Sequence, residues 1–295
     1  WDDKDNQDGK RPTSITVQLK ANNVAYGNPI TLSTGTDGNW DETDLTYTWT
    51  GLPKNKNGVA IVYSVEESNI GNGYSTTYDT SVNGETTIKN SYTPGEVTYS
   101  VEKVWNDSNN QDNKRPTSIE VELQVNGETF VYGGVTARQT LNSDNSWKYT
   151  WEHLPEKLNG TIVTYTVAEI TSLADYNEPT YSHTSSKTTI TNSRTTDKTT
   201  YNVEKVWNDN NNQDGIRSSS INVQLRARKK VNGEYVEVNE GSIQTLNANN
   251  SWKYEWENLE KNSEGEAIEY SVAEFSAISG YTTSYNTETE GKTII

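Results

Sequence analysis

The chain has 295 residues, with 41 acidic against 25 basic side chains and a formal charge of −16. That balance argues against nucleic acid or an anionic membrane as partner, since either would select a basic face. Cysteine and methionine are absent and only two histidines, His153 and His183, occur; disulfide staples, His-rich metal sites and a histidine-based triad in every unit are therefore excluded. No stretch approaches the roughly 20 apolar residues of a membrane span, no leader-type segment is read within the chain, and nothing calls for a cofactor. The 18 Tyr and 9 Trp, set among abundant Thr and Val, indicate a β-rich protein with aromatic anchors.

Reading from the first residue, "WDDKDNQDGKRPTSITVQL" at Trp1 returns as "WNDSNNQDNKRPTSIEVEL" at Trp105 and "WNDNNNQDGIRSSSINVQL" at Trp207. Later in each unit come "IVYSVEE" (Ile61–Glu67), "VTYTVAE" (Val163–Glu169) and "IEYSVAE" (Ile268–Glu274). "TTIKN" (Thr86–Asn90) and "TTITN" (Thr188–Asn192) follow, and the third copy reads "KTII" (Lys292–Ile295). A period of about 100 residues is domain-sized, so each unit should own a core. The expected domains are 1–93, 94–195 and 196–295, joined by the short Thr-rich segments Ser91–Ser100 and Ser193–Asn202 in a fairly extended string.

Within the middle unit the hydrophobic pattern alternates. Val101, Lys103 and Trp105 share one strand face, and Ile119, Val121 and Leu123 another. Trp147, Tyr149 and Trp151 are read as a third face, and Tyr165, Val167 and Glu169 as a fourth. Turn signals at Val125–Glu128, Asn142–Ser146 and Lys157–Gly160 separate them. Roughly seven short strands in about 100 residues imply an all-β fold of three tandem β-sandwich domains.

Three polar residues fall on inward faces: Lys103, Glu169 two residues after Val167, and Asn192 two residues after Ile190. Burial lowers a lysine pKa and raises a glutamate pKa, so the pair can exist as neutral amine and neutral acid. The amine can then attack the asparagine side chain while the acid bonds to the amide carbonyl and shuttles protons, leaving a Lys–Asn amide after one turnover. The same residues also suit a buried Lys–Glu ion pair with Asn as partner, or a lysine kept outside on an edge strand.

The motifs "KVWND…NNQDGxRP", "Y[ST]V.E" and "TTI.N" resemble the Cna B-type repeats of Gram-positive surface adhesins and pilins, over essentially the whole chain. The resemblance implies transthyretin-like (inverse immunoglobulin-like) sandwiches and a spontaneous isopeptide bond between Lys103 and Asn192, assisted by Glu169. It also implies partial sets in the outer repeats: Glu67 with Asn90 in the first, Lys205 with Glu274 in the third. The lysine of the first set and the asparagine of the third lie outside these residues. The implied function is structural rather than enzymatic, as monomeric stalk repeats on a Gram-positive cell surface. Other domains of the same surface protein are the expected partners, with a host ligand bound through loops as the rival reading.

Other motifs have plainer readings. The Asx-rich loops at Asp2–Gly9, Asn106–Asn113 and Asn208–Gly215 invite calcium, but the acid an EF-hand-type loop needs first is Lys4 in one copy and Asn210 in another; turns bonded by their own side chains explain them equally well. The aromatics of Trp147–Trp151 and Trp252–Trp256 are read as core rather than a sugar platform. The basic run Arg226–Tyr235 is read as a solvated hairpin tip.

Overall fold

In a computed structural model, all residues are described except 36–39, 42–44, 83, 132–133, 135 and 276. Among them the chain is built of β-strands, with one short 3₁₀ turn at Ala248–Asn250 and no α-helix. Among its described residues the middle repeat has seven strands longer than two residues: Glu96–Asn106, Ser118–Val125, Arg138–Asn142, Lys148–Pro155, Tyr165–Glu169, Thr180–His183 and Lys187–Ser193. They form two four-stranded sheets. In one, Ser118–Val125 is flanked by Arg138–Asn142 and Tyr165–Glu169, with the short Glu128–Thr129 folded back beside it. In the other the order is Lys148–Pro155, Glu96–Asn106, Lys187–Ser193, Thr180–His183.

The expected alternation is met where the two sheets face one another. Ile119, Val121 and Leu123 are all buried, as are Val101, Tyr99, Trp151, Leu154, Val167 and Ile190. Each such aliphatic side chain contributes about 1.5–3 kcal/mol on burial, while Val104 on the opposite strand face is exposed. Asn126 and Gly127 both have positive φ, 54° and 81°, the backbone a two-residue hairpin loop requires. One strand reading is corrected. Trp147 precedes the strand, with φ 59° in the turn closed by its N–H to Asn142 O, although its ring still packs on the core.

The third repeat repeats this plan around a long hairpin, Ser220–Val231 with Glu234–Asn247, and a second core of Val203, Val223, Leu225, Leu246 and Trp256. The basic run lies on this hairpin, where Arg228 pairs with Glu269 and stacks over Tyr235, and Lys229 pairs with Glu264. In the first repeat Ser14–Ala21 pairs with Ile30–Ser33 and Tyr63–Ser68, and Ser75–Asp79 with Thr87–Ser91.

The repeats meet at tight joints. The strand ending at Ser91 is separated from Glu96 by four residues, and the strand ending at Ser193 from Lys198 by four more. The Asx-rich loop of each of the first two repeats leans on the next repeat's hairpin: Gly160 N–H donates to Gln7 O at 3.1 Å, and Gly265 N–H to Gln111 O at 2.9 Å.

Candidate functional site

The long strand Glu96–Asn106 runs parallel to Lys187–Ser193, with Ile190 opposite Lys103 and Asn192 opposite Trp105. Because Lys103 and Trp105 lie on one face, Asn192 is the diagonal neighbour of Lys103, within reach of a long side chain. Glu169 comes from the other sheet, at the end of Tyr165–Glu169, where the Tyr181 hydroxyl holds its N–H at 3.2 Å. Lys103 is 5% exposed and Asn192 1%. The three sequence-predicted residues therefore converge between the sheets.

Their contacts are incomplete in an informative way. Asn192 Nδ2 donates to Glu169 Oε1 at 3.0 Å, whereas Glu169 Oε2 and Asn192 Oδ1 are both buried with no hydrogen-bond partner among the described residues. The expected bond from acid to amide carbonyl is thus replaced by one from amide nitrogen to acid. Lys103 Nζ donates to Val104 O at 2.9 Å and lies 3.7 Å from the centre of the Trp105 ring. Burial pushes the Lys103 ammonium down to about 8 against the opposing pull of Glu169 and Asp107, and burial pushes the Glu169 carboxyl up. Both shifts favour the neutral forms.

The outer repeats hold the partial sets. In the first, Asn90 Nδ2 donates to Glu67 Oε1 at 2.9 Å, and burial raises the Glu67 carboxyl. There the Thr76 hydroxyl donates to Asn90 Oδ1 at 2.7 Å. In the third, Lys205 and Glu274 form a buried ion pair at 3.0 Å, and the Thr283 hydroxyl reaches Glu274 Oε2 at 3.3 Å. The middle repeat has Pro179 at the position of Thr76 and Thr283 and so offers no hydroxyl there; in the third repeat Glu274 Oε1 is likewise buried with no hydrogen-bond partner among the described residues.

Sequence reasoning missed a second buried cluster beside the first. Asp107 accepts two bonds from Arg115, at 2.7 and 3.0 Å, one from the Tyr176 hydroxyl at 2.8 Å and one from Asn110 N–H at 2.9 Å. Trp105 packs edge-on against Trp147 and Tyr176 above it. Asp3–Arg11–Tyr74 and Asp209–Arg217–Tyr281 repeat the arrangement. The signal was present as Trp, Asp and Arg at fixed spacing in all three copies. Here the loop is tied by its own side chains and an arginine.

Comparison with known proteins decides the family. The Cna protein B-type domain matches three times, over residues 1–91, 99–193 and 201–295. The chain belongs to that family. It is 41% identical over 287 residues to the collagen adhesin of Staphylococcus aureus, covering 97% of this chain and 22% of that protein; it thus spans about a fifth of its relative. The crystal structure of two B repeat units of the S. aureus collagen-binding protein matches all of this chain and 72% of that one, at 34% identity and TM-score 0.54. A single B repeat unit of the same collagen-binding surface protein is 32% identical, covering 68% of this chain and 97% of that one, at TM-score 0.28. The Cna B-type fold of tandem β-sandwiches is therefore the fold of this chain, as its sequence motifs implied.

Proposed function

We propose that the chain is a run of three stalk repeats, 1–93, 94–195 and 196–295, of a Gram-positive cell-surface protein, and that its middle repeat crosslinks itself. The observation that carries this reading is the buried Asn192 amide held against Glu169 with Lys103 on the adjoining strand. Neutral Lys103 Nζ attacks Asn192 Cγ; the Nζ–Cγ bond forms, the Cγ–Nδ2 bond breaks, and the amine's proton passes through Glu169 to the departing nitrogen, which leaves as ammonia. Glu169 already touches that nitrogen, so it stands where the leaving group needs its proton. A half-turn of the amide would bring Oδ1 to the same carboxyl, which in its protonated form can donate to it.

The reaction turns over once and is no enzyme activity. It would close a loop of about 90 residues, worth about 4–5 kcal/mol if the chain-entropy relation for disulfides carries over to an amide. Tension entering near Lys103 and leaving near Asn192 would pass along parallel neighbouring strands through one covalent link. Such repeats suit a monomeric spacer that projects a binding region carried elsewhere in the polypeptide. The intact mass of the purified chain tests this: one ammonia less than the sequence mass, restored in Lys103→Ala and in Glu169→Ala, is expected. An unreduced mass overturns the crosslink.

A further inference from the structure

Three hairpin loops of the second and third repeats carry the pair asparagine–glycine in one backbone shape. Asn126, Asn159 and Asn232 have φ of 54°, 50° and 53°, and the glycines that follow them, Gly127, Gly160 and Gly233, have φ of 81°, 76° and 86°. All six residues are exposed. Two of the loops share even their flanking residues, "VNGE" at Val125–Glu128 and at Val231–Glu234. Such a pair holds an electrophile and a nucleophile one residue apart. The glycine nitrogen, with no side chain beside it, can close on the asparagine Cγ once the peptide between them turns. That turn is a local opening of the loop.

The surroundings of the three loops differ where the backbone does not. A Cβ on Gly127 or on Gly233 would meet nothing within 4 Å. Hairpin pairing joins Val125 to Glu128 and Val231 to Glu234, so the glycine nitrogen between each pair takes no part in it. Gly160 is held from outside its own hairpin. Its N–H donates to Gln7 O at 3.1 Å, and a Cβ on Gly9 would lie 2.7 Å from Gly160 Cα and 3.1 Å from its nitrogen. Turning the peptide between Asn159 and Gly160 would break that bond and press the loop against Gly9. Hairpin length does not separate Asn126 from Asn159, because Glu128–Thr129 and Thr161–Ile162 are both two-residue returning strands.

We propose that Asn126 and Asn232 are sites of spontaneous covalent modification, converting through a succinimide to aspartate and isoaspartate, and that the contact of Gln7 and Gly9 with Gly160 withholds Asn159 from the same reaction. The glycine nitrogen attacks Cγ; the N–Cγ bond forms, the Cγ–Nδ2 bond breaks, and Nδ2 leaves as ammonia with the glycine N–H proton. Water then opens the ring. Cleavage of the N–Cγ bond gives aspartate, and cleavage of the bond from nitrogen to the backbone carbonyl carbon gives isoaspartate. Each event places a new carboxylate on an exposed tip, and isoaspartate adds a backbone atom to a two-residue loop whose length fixes the strand register. Water replaces the lost ammonia, so the product is heavier than the parent, whereas the Lys103–Asn192 crosslink would make the chain lighter. The reaction does not depend on that crosslink.

Ageing the full chain in mildly alkaline buffer, then mapping its peptides with aspartate and isoaspartate resolved, tests this. Asn126 and Asn232 should convert steadily, with Asn159 slower than either by roughly tenfold or more. In denaturant the three should react at similar rates, since glycine follows each. This comparison needs no variant. Gly9→Ala, whose methyl group forces the loop away from Gly160, should release Asn159 to the rate of Asn126, and an unchanged rate at Asn126 shows that the second repeat keeps its fold. Tips that convert as slowly as Asn159 in the folded chain would overturn the proposal. So would an Asn159 that keeps pace with Asn126 there, or one that stays withheld in Gly9→Ala.

Discussion

Asn192 Nδ2 rests 3.0 Å from Glu169 Oε1, and Asn90 Nδ2 rests 2.9 Å from Glu67 Oε1. Two repeats thus hold the same amide against the same acid, from opposite sheets. The difference lies in the other oxygens: Thr76 covers that of Asn90, whereas that of Asn192 is bare.

Removing the acid should uncouple folding from crosslinking. Glu169→Gln is nearly isosteric and keeps a hydrogen-bond partner for Asn192, so the sandwich should fold, but without a group that can both give and take a proton. The variant should retain ammonia and lose the loop-closure term of about 4–5 kcal/mol, a fall on the order of 20 °C in the melting of the middle repeat. Calorimetry beside Asn192→Ala checks this, since the two variants should melt close together.

The reaction should have a bell-shaped pH profile. It needs the amine neutral and the acid protonated together, the minor protonation state of the pair. Below the raised value of Glu169 the rate should fall as the amine becomes charged; above the Lys103 value of about 8 it should fall as the acid loses its proton with no further gain in amine. Refolding denatured Lys103→Ala cannot report this. Unreacted wild-type chain made by cell-free synthesis in denaturant, refolded at several pH values and quenched for mass analysis, can.

Acid should loosen the aspartate–arginine loops. Burial opposes ionisation of Asp3, but the bonds from Arg11, Tyr74 and Asn6 N–H win and bring it down to about 2; Asp107 is likewise held low against burial by Arg115, Asn110 N–H and Tyr176. Folded values below the unfolded one near 3.8 mean that this stability is present above about pH 4 and is lost as pH falls towards 2. Asp107→Ala strands Arg115 beside Trp105 and should cost about 3–5 kcal/mol, read from the urea midpoint. Chelator should leave the melting temperature unchanged, because Arg115 already occupies both Asp107 oxygens.

Asp112→Ala should loosen the second joint and leave the cores intact. It removes the acceptor of Asp197 N–H and one of the two carboxylates paired with Arg194, whose guanidinium is itself largely buried. Faster exchange at Asp197 and new proteolysis within Ser193–Asn202, with unchanged protection at Val121 and Val223, would bear this out. Equal protection in variant and parent would show that the joint is held by other contacts.

Much of this was legible because strand faces obey a simple period. Ile119, Val121 and Leu123 point inward as alternation requires, and the same rule sent Lys103, Glu169 and Asn192 to one place. Trp147 broke the rule because a left-handed turn residue starts the strand one position later. What periodicity could not convey were contacts between loops distant in sequence. Asp107 meets Tyr176 from 69 residues away, and Gln111 meets Glu260 from 149. The Asx-rich loops therefore read as turns or ion sites, when Gln111 and Asp112 in fact brace the next repeat. Pro179 was equally silent, since its meaning is the hydroxyl it lacks beside Asn192.

Peptide mapping of the purified chain reads the crosslink itself. A branched peptide is expected, in which Lys103 of "VEKVW" is joined through its side chain to Asn192 of "TTITN", with trypsin unable to cut after Lys103. Separate linear peptides, with free Lys103 and an intact Asn192 amide, would contradict it and leave the trio as a buried polar network.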